Sequence, residues 1–236
     1  MTYTVVARDP ETKALGVCLA TSPLAVAARC PLVRGGVAAI SSQCHSDWRL
    51  AYRGMELAEA GVAPDEILRK LESEDRFFRE YRQFGIVLPD GRVAVHSPSK
   101  GKDWTGHMVG DGFITMGNHL AGPQVVKAMH AAFLAETGVP FEERLLRTLE
   151  AGFAAGGEVV GQLSAGIIVA EPGAKRPRTE LRIDMANPPP TEGGDAVRDL
   201  RRVFDEYFPL VPYYAKEWLD NPELQRSDYL QQRTAG

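Results

Sequence analysis

The period of hydrophobic and polar positions changes several times along this chain. Thr2 to Arg8 (TYTVVAR) is β-branched and aromatic, with no helical start signal, and reads as a strand. Asp9-Pro10 follows as a turn, because proline fixes φ and aspartate bonds the backbone beyond it. An apolar run from Ala14 to Thr21 then completes a hairpin. Two further runs, Leu24 to Val33 and Gly36 to Ser41, read as strands rich in small residues that let layers approach closely.

The period then becomes helical. Leu50, Gly54, Leu57, Ala58 and Gly61 recur at helical spacing, and the helix starts near Trp48. Pro64-Asp65-Glu66 opens another helix, with proline in the first turn and acids at the positive dipole end. Phe84 to Leu88, Pro89-Asp90-Gly91 and Arg92 to His96 form a hairpin signal, and a strand runs from Gly112 to Met116. Two helices are expected over Gln124 to Ala135 and Phe141 to Ala155. Strands follow at Ser164 to Ala170 and Leu181 to Ile183, then a last helix from Asp195 to Phe208.

Strand runs alternating with helix pairs do not suit a doubly wound parallel sheet. They predict an α+β fold, a four-layer αββα sandwich of two antiparallel sheets. One domain over residues 1–214 is expected, with a polar tail over 215–236.

Composition narrows the function classes. With 44% hydrophobic and 25% charged residues the chain is globular in character. The net charge of -4, with no lysine- or arginine-rich block, gives nucleic-acid binding little electrostatic support. No apolar run reaches the roughly 20 residues of a membrane helix, and MTYTVVARDP carries no apolar secretion core. A cytoplasmic location is therefore expected. Three cysteines (Cys18, Cys30, Cys44), an odd count with no CxxC, argue against a disulfide framework or a structural zinc site.

Position 2 holds the candidate chemistry. Methionine is generally trimmed ahead of a small residue such as threonine. Trimming would leave Thr2 with a free α-amine and a hydroxyl. The amine titrates near ~8 and can act as base for its own hydroxyl, so nucleophile and base share one residue. Ser42 and Gln43 lead toward a helix start, where unpaired backbone N–H groups can stabilise an oxyanion, while Ser46 or Asp47 serves as the cap.

The pattern Thr2-Tyr3-Thr4-Val5-Val6-Ala7-Arg8-Asp9-Pro10-Glu11-Thr12 with Leu15-Gly16-Val17 resembles the bacterial family catalogued as domain of unknown function 1028. So do Pro31 with Gly36-Val37, Ser42-Gln43, Tyr52-Arg53-Gly54, Arg82-Gln83 with Gly85-Ile86-Val87, and Asp103-Trp104-Gly106-His107. Gly110-Asp111-Gly112 and Gly117-Asn118 with Leu120-Ala121-Gly122-Pro123 extend it. The likeness spans residues 2 to 208. It implies an N-terminal-nucleophile hydrolase fold, that of proteasome β subunits and several amidohydrolases, and supplies no substrate. The chain departs from the family pattern at Leu163, where glutamine is usual, and at Met185-Ala186, where aspartate and histidine are common. The match adds Asn118 as a second oxyanion candidate through its side-chain amide.

Arg8, Asp9 and Asp184 end strands and are candidate substrate contacts, Arg8 as a bidentate carboxylate anchor. Cys44 and His45 are further candidates for substrate contact and define a rival thiolate chemistry, although neighbours on a strand point to opposite faces. The five histidines show no metal-ligand spacing, so neither metal nor cofactor is expected. The expectation is an enzyme that hydrolyses an amide-type C–N bond of a small molecule, with a homodimer expected from the fold. The alternatives are a non-catalytic metabolite-binding module and a hydrolase dependent on Cys44 or a metal.

Overall fold

The computed structural model describes residues 1–234. β1 (Thr2–Arg8) and β2 (Leu15–Thr21) form the expected hairpin, followed by a 3-10 turn (Val26–Ala28), β3 (Pro31–Arg34) and β4 (Ala38–Cys44). α1 (Trp48–Glu59), α2 (Pro64–Glu74) and the single turn α3 (Phe78–Tyr81) lead to β5 (Arg82–Val87), β6 (Val93–His96), β7 (Trp104–Gly110) and β8 (Phe113–Leu120). α4 (Pro123–Ala135) and α5 (Phe141–Ala154) precede β9 (Ser164–Ala170) and β10 (Thr179–Ile183). α6 (Ala196–Tyr207), α7 (Trp218–Asp220) and α8 (Arg226–Thr234) finish the chain.

The strands make two antiparallel sheets, one ordered β10-β9-β2-β1-β8-β7 and the other β3-β4-β5-β6. Alternation on each strand assigns side chains to layers. On β1, Tyr3, Val5 and Ala7 pack under α4, α5 and α6, with Leu145, Leu149, Met129 and Phe204. Val6 faces the other way, with Leu15, Val17, Leu19, Ile114 and Met116 of the same sheet and Ala39 and Val87 of the second. Ile40, Phe84 and Ile86 turn outward to meet Leu50, Met55, Ile67 and Leu71 of α1 and α2. The result is a four-layer αββα sandwich, and the near-continuous burial of β1 and β2 follows from cover on both faces. Each fully buried aliphatic side chain in these layers contributes about 1.5–3 kcal/mol.

Local signals set the ends of the helices. The Asp47 carboxylate accepts the Arg49 N–H at 3.0 Å and caps α1, and the Asp195 carboxylate accepts the Val197 N–H at 2.7 Å and caps α6. Pro64 opens α2. At Gly54 a Cβ would come within 2.9 Å of the Phe84 ring, so glycine is what lets α1 lie this close to the second sheet.

Four segments differ from the sequence expectation. Leu24 to Val33 is not one strand. Ser164 Oγ donates to the Pro23 carbonyl (2.7 Å) and accepts the Val26 N–H (3.0 Å), and these tertiary bonds hold a turn before β3 begins. β7 went unpredicted because Gly106 and Gly110 weaken its strand signal and it lies at a sheet edge. β8 runs on from Phe113 to Leu120, past the expected end at Met116, so Asn118 lies within the strand. Within the described residues the polar tail carries two helices, α7 and α8, and Tyr229 of α8 joins Tyr213 and Leu210 in a small buried cluster.

Candidate active site

The inner face of the sandwich changes character at one end. Registers Thr2↔Asn118 and Thr21↔Ser164, with Tyr3↔Ala20, align Asn118, Thr2, Thr21 and Ser164 in one row across the larger sheet. Residues level with one another on an antiparallel sheet share a face, and this row continues the inner face of Met116, Val6 and Leu19. From the opposite sheet, Gln43 and Gln83 pair in register and belong to the inner-facing series of Ala39 and Val87.

Thr2 is 4% exposed. Its hydroxyl lies 3.2 Å from Thr21 Oγ1, and both hydroxyls donate to the Met1 carbonyl. The Thr2 carbonyl is approached by Gln43 Nε2 (3.4 Å) and Asn118 Nδ2 (3.5 Å). A chain of amides fixes these groups. Thr4 Oγ1 (2.6 Å) and Ser41 Oγ (3.0 Å) donate to Gln43 Oε1. Gln43 Nε2 (2.8 Å) and Asn118 Nδ2 (3.0 Å) both donate to Gln83 Oε1. Gln83 Nε2 in turn lies within reach of the Gly117 and Gly106 carbonyls and Ser97 Oγ, at 3.0, 3.1 and 2.9 Å. The network ties both sheets to the start of β1, and buried networks of this kind rigidify what they touch.

Three expectations change with this geometry. Ser42 lies on the helix-facing side of β4. Its N–H is taken by the Cys30 carbonyl (2.9 Å) and its hydroxyl by the Asp47 carbonyl (3.0 Å), so it offers no free donor to Thr2. Gln43 enters the site through its side chain, and the expected role was for its backbone N–H. Asn118 does reach Thr2, yet its amide holds the Thr2 carbonyl and Gln83, which is the geometry of a support for the strand.

Arg8 and Asp9 are not brought to Thr2. They stand at the far end of β1, roughly 20 Å away at the rise of a strand. Arg8 packs against the turns at Gly91 and Gly112, and the Asp9 carboxylate organises the β1–β2 turn through the Glu11 and Thr12 N–H groups (3.3 Å each). Asp184 shares the end of the sheet with Thr2 but sits three strands across, roughly 14 Å by strand spacing, and pairs with Arg182 (2.9 Å). Cys44 borders the site next to Gln43, half-buried and in the left-handed region (φ 72). Burial pushes its thiol up, and the His45 ring sets itself edge-on to Tyr81 at 5.4 Å, so the pair lacks the arrangement of an activated thiolate.

Sequence reasoning passed over Thr21, Gln83 and Glu158. Thr21 was legible: counting by twos from Leu15 through Val17 and Leu19 puts a hydroxyl on the inner face at the hairpin's open end. Gln83 entered only as part of the Arg82-Gln83 family likeness, because its role depends on a second sheet. Glu158, in the loop after α5, accepts the Ser22 N–H at 2.8 Å and is 3% exposed. Burial raises its carboxyl to about 7, against the pull of Ser22, Thr21 and the N-terminal amine. The two family departures are bonded to each other, the Ala186 N–H donating to the Leu163 carbonyl at 2.7 Å. Leu163 meets the Thr21 carbonyl through its backbone N–H (2.8 Å), a contact independent of its side chain.

Among the described residues no group of three or more histidine, cysteine, aspartate or glutamate side chains is placed to hold a metal ion, and no helix is long and apolar enough to cross a membrane.

The class these observations define is structural: a four-layer αββα sandwich whose first strand carries a buried threonine on the inner face, at the polar end of both sheets. The chain belongs to the family of unknown function DUF1028, whose model matches residues 2–193. A crystal structure of a Silicibacter pomeroyi protein of that family is 27% identical, with a TM-score of 0.76, covering 87% of this chain and 88% of that one. HslV from Trypanosoma brucei (12% identity, TM-score 0.45, 72% and 99% covered) and Anbu from Yersinia bercovieri (12%, 0.40, 91% and 97%) are more distant, and at these scores they carry no weight for function. No curated protein matches the chain.

Proposed function

We propose that the protein hydrolyses an amide-type C–N bond of a small molecule, with Thr2 as the nucleophile once Met1 is removed. One observation carries this reading. The Thr2 hydroxyl stands within hydrogen-bond distance of Thr21, at the end of a central strand, while two buried amides hold its backbone from opposite sheets. This support fixes the end of β1 that presents the Thr2 hydroxyl.

In the proposed mechanism the freed α-amine takes the hydroxyl proton as Oγ attacks the acyl carbon. As the C–N bond breaks, the substrate's nitrogen takes that proton back from the α-amine and leaves, and water then releases the acyl group from Thr2. The surroundings hold hydroxyls and amides rather than cations, which suits a neutral acyl group. A second reading, a non-catalytic metabolite-binding module, draws support from the bonded state of the unprocessed chain, in which the Met1 carbonyl engages both hydroxyls.

The test is turnover of a panel of small amides by the processed protein, by Thr2→Ala, and by a form carrying an uncleavable extension ahead of Thr2. The proposal expects hydrolysis by the processed protein alone. Equal turnover by all three, or tight binding without turnover by the processed form, overturns it.

A further inference from the structure

Glu158 is a costly residue for its position. A bridge to Leu120 holds it beside the end of β8, and its Oε2 accepts the Ser22 N–H at 2.8 Å. Its Oε1 is buried with no hydrogen-bond partner. A neutral amide would satisfy Ser22 as well, without the penalty of burying a carboxylate. Ser22 follows Thr21, whose hydroxyl is 3.2 Å from that of Thr2 and close enough to Glu158 to favour its ionised form. The positive charge that faces it is the amine at the start of the chain.

We propose that Glu158 is a second proton acceptor for Thr2, working through the Thr21 hydroxyl; this rests on the reading of Thr2 as the nucleophile. As Thr2 Oγ bonds to the acyl carbon, its proton passes to Thr21 Oγ while the Thr21 proton passes to the Glu158 carboxylate. When the C–N bond breaks, the leaving nitrogen takes a proton returned along the same path. Glu158 thus acts as a positioning and proton-holding residue that does not itself touch the substrate.

The remaining surroundings of Glu158 suit that role. The Tyr3 hydroxyl approaches from β1, itself without a partner and held protonated by burial and then by Asp195 and Glu158. Asp195, at the start of α6, is also pushed up, chiefly by burial. Gln162 fits between the two acids, with its oxygen accepting the Glu158 N–H (3.0 Å) and its nitrogen donating to Asp195 (2.5 Å). Burial disfavours a permanent charge at Glu158, and a carboxyl that titrates near neutrality is what reversible proton transfer needs.

The experiment is the rate at which phenylmethanesulfonyl fluoride labels Thr2, followed by mass spectrometry from about pH 5 to about pH 9. In the native protein the rate rises through about pH 7. In Glu158→Gln and in Thr21→Val that limb is lost, leaving the rise of the amine near ~8 and about a tenfold lower rate at pH 7. Thr21→Ser keeps the native profile. A native profile in Glu158→Gln overturns the relay and leaves Thr2 as the nucleophile. Failure of the processed native protein to be labelled at Thr2 overturns the proposed function and the relay together.

Discussion

The two ends of the layer between the sheets are built on the same strands and the same faces, yet from opposite materials. Toward the β1–β2 turn the inner positions are Val6, Leu15, Val17, Ile114 and Val87, a dry aliphatic core. Toward the start of β1 the same alternation delivers Thr2, Thr4, Thr21, Ser41, Gln43, Gln83 and Asn118, all buried. Apolar residues at the second end would fold at less cost, because each buried polar group needs a partner to offset its lost hydration. The first end is what holds the sheets together. The second holds Thr2 in place, and its unpartnered atoms, Asn118 Oδ1 and Glu158 Oε1, fall within it or on its border.

If the two ends divide the labour in this way, substitutions should separate reactivity from stability. The largest effect belongs to Thr2→Ala, expected to lower amide turnover by about 10³-fold or more while leaving the urea midpoint close to native. Leu15→Ala, in the dry end, should do the reverse: a loss of about 2–5 kcal/mol in urea unfolding, with Thr2 labelling changed only a few-fold. Equal losses of both properties in either variant would break the comparison.

Glu158→Gln sharpens it through pH. The folded state raises this carboxyl to about 7, so the neutral form is the one it favours. The stability it lends is complete below the ordinary glutamate value near ~4.3 and is lost as pH rises through 7. The amide never charges. Unfolding at pH 4 and pH 8 should therefore show Glu158→Gln gaining on the native protein by on the order of 3 kcal/mol across that window. Gln83→Met removes the hub of the amide chain, strands the Gln43 and Asn118 N–H groups, and should cost about 1–3 kcal/mol with slower Thr2 labelling. Asp47→Ala, which removes only the α1 cap, should cost about 1 kcal/mol and leave labelling unchanged.

The sequence carried the layers better than the site. Period-two runs at Thr2–Arg8 and Ala14–Thr21 and the two helix pairs were enough to reach the αββα sandwich, because burial pattern and fold share one cause. The strand at Trp104–Gly110 escaped because its glycines blunt the alternation, and the turn at Val26–Ala28 because Ser164, far along the chain, creates it. Thr2, Gln43 and Asn118 were named in advance and do converge. Arg8 and Asp9 were drawn in by their chemistry, although six residues of strand carry them to the other end. Glu158 left no local trace, since its position is defined by Ser22 and Leu120, whose approach only the fold creates.

The most direct test of the central claim is the intact mass of the untagged protein before and after an electrophile that captures N-terminal nucleophiles. The account predicts a mass lacking methionine, then a single adduct that maps to Thr2 and is absent from Thr2→Ala. A mass that retains Met1, with no adduct formed, would contradict the claim and leave the binding module as the better reading.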